Sequence, residues 1–216
     1  MKLKCKELTK NIYHIIFPSR RELAKTFLRF QEHFESPAFR KKIFTLNEFK
    51  KWYISHSPGG KKTEKFTYYE DWNGFNIPSK ILNPFYQGKF NPLSNEEKSL
   101  LKLFENKKKK KFYIIATYKN SGKYLLQHEI AHGLFYTSLK YRREVLKALR
   151  NCDKETIKEL HGYFSTRGGY HPAVWLDETH THIMADLRFL KREEINSSKM
   201  LKVRKELNSI FNKYFN

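Results

Sequence analysis

Cysteine, proline and acidic residues are scarce in this chain, and long apolar runs are missing. Only 2 cysteines occur in 216 residues, and Cys5 and Cys152 are far apart. A disulfide framework is therefore excluded, and a reducing compartment is favoured. No apolar run approaches the roughly 18 residues of a membrane span, and the first residues lack the apolar core of a secretory signal. We expect a cytoplasmic location, or export by a route without a general secretory signal.

Acidic side chains number 22 against 43 basic ones, so the net charge is +21. Such a field attracts phosphate backbones, anionic membranes and acidic polypeptides. The lysines are dispersed, as is typical of solvated helix faces, and the one dense run is 107–111. No nucleic-acid motif with fixed spacing occurs. The net charge is thus compatible with nucleic acid as a partner, but no sequence motif supports this partner.

Length and composition indicate one ordered globular domain. The chain is 39% hydrophobic and 16% aromatic, and its 216 residues are enough for one sizeable core or at most two small ones. We predict a single domain over 1–216, divided into an N-terminal part (1–106) and a C-terminal part (107–216). The fold class is α+β: mainly helical, with a small sheet of three or four strands packed on the helix that carries the motif described below.

Local signals predict most elements of this fold. Two short strands, 2–8 and 11–17, form a possible hairpin. Capping-box patterns of Ser or Thr followed three residues later by Glu open three helices. Between the second and third, residues 57–93 are rich in proline and glycine and are predicted to be irregular. The predicted helices and the remaining strand are helix 20–35, helix 46–54, helix 95–106, strand 111–118, a helix within 122–137, and helices 138–151, 154–164, 177–191 and 197–214.

Residues 128–132 read His-Glu-Ile-Ala-His and carry the strongest chemical signal. On a helix, two histidines at i and i+4 share one face, so both rings can reach one metal ion. Glu129 then lies beside the metal without binding it, where it can act as general base and acid on a metal-activated water. The motif lies in an apolar helical stripe that follows the turn at 120–122.

These residues resemble the zincin metallopeptidases and, among them, the gluzincins. The resemblance rests on His128, Glu129 and His132, on the strand before them, and on the Asp-Glu pair after them. It covers residues 112–190, about a third of the chain. It implies zinc as cofactor, peptide-bond hydrolysis, and a third ligand that is a glutamate on a later helix. The chain is also similar to bacterial proteins with an HEIAHG helix followed by a GY…DE segment, partly through ESPAFRKK and YYEDWNGFNIPS, which implies no activity.

Glu178 is the predicted third ligand, because two histidines and a glutamate leave a fourth position open for water. It falls next to an apolar stripe of its helix, so its side chain can face inward. His182, four residues on, is the alternative ligand or a residue that supports one, and His171 is a weaker candidate. His180 points about 200° away from His182 on a helix and cannot bind the same ion with it.

Supporting roles are assigned by position. The resemblance implies that strand 111–118 is an edge strand that pairs with an extended substrate, and an ordinary strand is the equal alternative. Tyr170, His171 and Arg167, beside the pair Gly168-Gly169, are candidates for stabilising the oxyanion. Asp177 is a helix N-cap, an alternative ligand or a support for a ligand, and Tyr136 either supports His132 or packs. The other histidines are expected to be ordinary hydrogen-bonded or exposed side chains: His14, His33, His56 and His161.

The sequence thus predicts a zinc-dependent metallopeptidase acting on peptides or proteins. Three alternatives stay open: a basic nucleic-acid-associated zinc protein, an effector or toxin protease of narrow specificity, and an inactive zincin.

Overall fold

Four short strands form one mixed sheet: β1 (Cys5–Thr9), β2 (Ile12–Phe17), β3 (Gly74–Pro78) and β4 (Tyr113–Tyr118). Their order across the sheet is β1-β2-β4-β3. β1 and β2 are an antiparallel hairpin, β2 and β4 are parallel, and β3 and β4 are antiparallel.

The computed structural model describes residues 3–119, 121, 123–168, 170–185 and 187–215. At residues 123, 124, 167, 168, 187–189 and 197 it describes only the backbone.

Helices make up most of the remaining chain, so the predicted α+β, mainly helical class is confirmed. The small sheet has four strands, as expected. The helices are α1 (Arg20–Glu35), α2 (Leu46–His56), α3 (Pro58–Thr63), α4 (Tyr68–Asp71), α5 (Asn83–Tyr86), α6 (Asn95–Leu103), α7 (Lys123–Thr137), α8 (Leu139–Leu149), α9 (Lys154–Tyr163), α10 (Trp175–Ala185), α11 (Leu187–Arg192) and α12 (Leu201–Phe215).

Contacts divide the chain into two compact units. Of the described residues, the first contains 3–34, 38–119 and 121, and the second contains 35–37 and those from 123 to 215. The sheet therefore belongs to the first unit, and α7, which carries the His-Glu-x-x-His motif, belongs to the second. The single domain and the packing of the sheet on the motif helix stay predictions.

The first unit is built around aromatic side chains. One face of the sheet and α1 meet in this core, where Phe17 and Phe75 both lie against Phe27. Phe85 stacks on both Phe30 and Phe90 with ring centroids 3.9 Å apart. Side chains of this size bury a large apolar area each, so the unit has a sufficient core without disulfides. Both cysteines are free thiols, Cys5 exposed and Cys152 buried.

Strand positions correct two sequence expectations. β4 pairs on both sides, so it is a central strand of the sheet and the edge-strand prediction is wrong. Residues 57–93, predicted to be irregular, contain β3, three short α-helices and a 3-10 helix. The glycine and proline at the ends of β3 weigh against a strand locally, and its pairing with β4 overrides that preference.

The second unit consists of helices. α7 packs against α8 and α10, and α12 packs against α8 and α10. Its buried side chains are both aliphatic, as at Val145 and Leu207, and aromatic, as at Tyr141, Phe164 and Phe211. The predicted helix 177–191 corresponds to α10 and α11, with residue 186 outside the described residues. Among the described residues, no helix combines the length and the apolar composition needed to cross a membrane.

Candidate metal centre

Two helices of the second unit, α7 and α10, supply the candidate site. On α7, His128 and His132 are four residues apart, and on α10, Glu178 and His182 are four residues apart. Side chains at i and i+4 project from the same face of a helix. The two faces meet because α7 packs on α10, so the two pairs of side chains form one cluster.

Nitrogen and oxygen atoms of these four side chains converge. His128 Nε2 lies 3.1 Å from His132 Nε2 and 3.9 Å from Glu178 Oε2. Glu178 Oε1 is 3.6 Å from His132 Nε2, and Glu178 Oε2 is 3.6 Å from His182 Nε2. Two ligands of one zinc ion, each at about 2.0–2.1 Å, lie roughly 3.3 Å apart in a tetrahedron. The observed separations fall on both sides of that value.

Asp177 lies beside one of the imidazoles. Its Oδ1 atom is 2.9 Å from His132 Nδ1, the ring nitrogen that faces away from the cluster. Neither atom makes a hydrogen bond with the described residues, so the contact is one of proximity and charge. A carboxylate beside the far nitrogen of a metal-binding imidazole can raise the basicity of that ligand. The supporting role of Asp177 stays a prediction.

Burial keeps the three imidazoles neutral. Removal from water lowers the pKa of His132 to about 3. The pKa values of His128 and His182 fall well below the usual value, first because of burial and then because of the neighbouring histidines. Neutral imidazoles are the form that binds metals.

The carboxylate of Glu178 is 4% exposed, and its Oε2 accepts no hydrogen bond from the described residues. Burial, followed by the negative charges of Glu35, Asp177 and Glu129, raises its pKa well above the usual value. A buried carboxylate among other carboxylates is costly unless a cation is present. Three neutral imidazoles around such a group fit a divalent metal ion, and zinc suits this set of donors.

Glu129 is buried inside the site. It lies on α7 between the two histidines of the motif and is 5% exposed. Its charge contributes to raising the pKa of both Glu178 and Tyr170, so its carboxylate lies within electrostatic reach of these groups. This is the neighbourhood that a general base requires.

Tyr170 reaches the same site from the segment before α10. Burial and then the charges of Glu178, Glu35 and Glu129 raise the pKa of its phenol well above the usual value. Its backbone is fixed at two points: its N–H donates to the Phe164 carbonyl at 3.1 Å, and its carbonyl accepts from Trp175 Nε1 at 3.0 Å. Its phenol stays protonated and is thus a hydrogen-bond donor.

The other candidates for supporting roles are placed differently. The His171 ring accepts a hydrogen bond from the Ala173 N–H at 3.1 Å, which caps the short turn at 172–174. The side chain of Arg167 lies outside the described residues. Tyr136 is half-buried on α7, one turn beyond His132, and its supporting role stays a prediction.

His180 lies on α10 with its ring centroid 6.2 Å from that of His132. It is fully buried, its ring stacks on Phe135 with centroids 4.9 Å apart, and its Nδ1 is 3.5 Å from Asp177 Oδ1. The divergence from His182 follows from helical geometry. Each of the remaining histidines has a hydrogen-bonding neighbour: Thr117 for His14, Lys42 for His33, Trp52 for His56 and Thr179 for His161.

Residues around the site include some without a signal in the sequence. Glu35, at the end of α1, affects the pKa of Glu178 and of Tyr170, and Arg142 affects that of Asp177. Their roles depend on contacts between residues that are far apart in the sequence.

Comparisons with models of protein families, with curated proteins and with solved structures find no match for this chain.

Proposed function

We propose that this chain is a zinc-dependent metallopeptidase whose metal ligands include His128, His132 and Glu178. The observation that carries the proposal is the convergence of these three donors beside the buried Glu129. A pair of histidines alone could bind a metal but would provide no general base. Glu129, which lies between the two histidines in the sequence, adds a carboxylate that can accept the proton released in hydrolysis.

His128, His132 and Glu178 would hold a zinc ion, which would supply the Lewis acidity that activates a water and polarises a substrate carbonyl. The carboxylate of Glu129 takes a proton from the water while the water oxygen forms a bond with the carbonyl carbon of the substrate. Glu129 then gives this proton to the amide nitrogen as the carbon–nitrogen bond breaks. One water is consumed, and a carboxylic acid and an amine are released.

Tyr170 is suited to stabilise the oxyanion. Negative charge develops on the carbonyl oxygen during attack, and a positioned hydrogen-bond donor lowers the energy of that state. The fixed backbone of Tyr170 and its protonated phenol support this role. The role is separate from that of Glu129, which moves protons.

The experiment that tests the proposal is the substitution Glu129→Gln. Gln preserves size and helix propensity but cannot accept the proton, so the variant should keep one zinc per chain and lose nearly all peptide hydrolysis. Zinc content is measured by elemental analysis of protein purified without chelators or a metal-binding tag. Hydrolysis is measured on a mixture of peptides of diverse sequence.

Acetohydroxamate provides a readout that needs no substrate. Its binding to zinc-loaded wild-type protein should stabilise the fold by about 2.7 kcal/mol at a hundredfold excess over its Kd. His132→Ala is the control, because losing a ligand should remove both zinc and the hydroxamate effect. Hydrolysis at the wild-type rate in Glu129→Gln, or a wild-type protein that takes up no zinc, would refute the proposal.

A further inference from the structure

We infer that His182 is a fourth protein ligand, so that the resting metal centre consists of three imidazoles and one carboxylate. The inference rests on the zinc site of the proposed function but not on hydrolysis. His128, Glu178 and His182 each place one donor atom within 4.8 Å of the other two. His182 thus belongs to the group of donors that are close enough to share one ion, and His132 adjoins this group through His128, with the two Nε2 atoms 3.1 Å apart.

Distance separates a ligand from a supporting residue. A histidine that supports Glu178 would donate a hydrogen bond to it, which requires about 2.7–3.2 Å. His182 Nε2 is instead 3.6 Å from Glu178 Oε2. This value is too long for the hydrogen bond and close to the roughly 3.3 Å expected between two ligands of one tetrahedral zinc.

The ring of His182 is held in this orientation from several sides. Its centroid is 5.0 Å from the ring of His128, 5.3 Å from Phe164 and 6.3 Å from Tyr170. His182 also lies one helical turn beyond Glu178 on α10, so both side chains reach the cluster without any change of backbone. A ring that is already in place loses little conformational freedom when a metal binds.

A fourth ligand changes what the site can accept. Catalytic zinc sites hold three protein ligands and a water, and they can expand to five ligands. With His182 bound, an incoming molecule must become a fifth ligand or replace an imidazole. Removal of His182 should therefore have two opposite effects: it should weaken zinc binding and strengthen the binding of a hydroxamate to the zinc that remains.

The test compares His182→Ala and His182→Gln with wild-type protein, and His161→Ala serves as the matched control. His161 is a histidine that contacts α10 through Thr179 and Trp175 and lies outside the cluster. Zinc Kd values are measured by competition with a chromophoric chelator. Both His182 variants should raise the Kd by more than the roughly 10–100-fold that loss of a supporting residue costs. The control should stay within about threefold of wild type.

Acetohydroxamate affinity is measured on protein fully loaded with zinc. It should rise about tenfold or more when His182 is removed, because a coordination position opens. X-ray absorption by zinc-loaded wild-type protein gives a reading that needs no variant, and it should show three imidazoles. Two imidazoles, an unchanged zinc Kd, or a hydroxamate affinity that falls with the zinc affinity would overturn the inference while leaving the zinc site of the proposed function intact. A wild-type protein that takes up no zinc would remove both.

Discussion

Asp177 lies between two buried histidines. Its carboxylate faces His132 Nδ1 at 2.9 Å, and His180 lies on its other side at 3.5 Å. The substitution Asp177→Asn keeps the shape and a hydrogen-bond acceptor but removes the charge. We expect zinc affinity to fall about 10–100-fold, because the carboxylate raises the basicity of the ligand. The measurement is chelator competition, and an unchanged Kd would contradict the role of Asp177.

The same variant gives a pH-dependent prediction for zinc-free protein. Burial raises the pKa of Asp177 from 3.8 to about 7. A raised pKa means that the folded state favours the neutral acid, so the contribution to stability is present below pH 3.8 and is lost as the pH rises through about 7. The stability of wild type relative to Asp177→Asn should thus fall over this range, by at most about 4 kcal/mol. Thermal unfolding with a chelator at several pH values checks this, and a constant difference would contradict it.

Individual site residues could be predicted only where helical spacing brings them together. The motif fixes the relation of His128 to His132, and the same i, i+4 spacing relates Glu178 to His182. The distance between the two pairs depends on how α7 packs on α10, which no local pattern encodes. Sequence reasoning therefore left the role of His182 open. It gave no sign of Glu35, whose contribution arises from an approach of distant segments.

Among the elements, the start of α6 combines two interactions in one side chain. Glu97 completes the capping box with Ser94, and it also forms a buried ion pair with Arg29 of α1, with oxygen–nitrogen distances of 2.7 and 2.5 Å. The Arg29 guanidinium also donates to the Phe90 carbonyl at 2.9 Å. The first unit thus joins α1 to α6 through a charge that has little access to water.

Glu97→Ala should destabilise the protein by about 3–5 kcal/mol, because it leaves Arg29 buried without its partner. Glu48→Ala is the matched control: Glu48 closes the capping box of α2 but has no buried partner. The substitution of Glu48 should lower the free energy of unfolding by about 1 kcal/mol. Urea unfolding of both variants measures the difference, and equal losses would show that the ion pair adds nothing beyond the cap.

Elements defined by local chemistry were predictable, and elements defined by pairing were less so. The capping boxes of α2 and α6 and the β1–β2 hairpin are confirmed, because side chains a few residues apart determine them. The position of β4 inside the sheet depends on β2 and β3, which come from separate parts of the chain. Strand composition reveals a strand but not its neighbours.

For the whole molecule, the division into two units predicts where a metal acts. The candidate ligands all lie on α7 and α10, within the second unit. Zinc should therefore slow amide hydrogen exchange mainly in these two helices and change it little in the sheet of the first unit. Exchange measured by mass spectrometry with zinc and with chelator tests this. Equal protection of β2 and β4 would show that the metal stabilises both units together.

The donor atoms of the cluster have a consequence for redox chemistry. Among the described residues, the donors of the cluster are nitrogen and oxygen atoms, and the thiols of Cys5 and Cys152 are not part of it. Thiolate ligands can be oxidised to sulfenic acids and disulfides, and such sites lose zinc under peroxide. Imidazole and carboxylate ligands do not undergo this oxidation to sulfenic acids and disulfides. A metal held between α7 and α10 would therefore persist from a reducing to an oxidising environment, and its release would depend on acid or chelation rather than on oxidation.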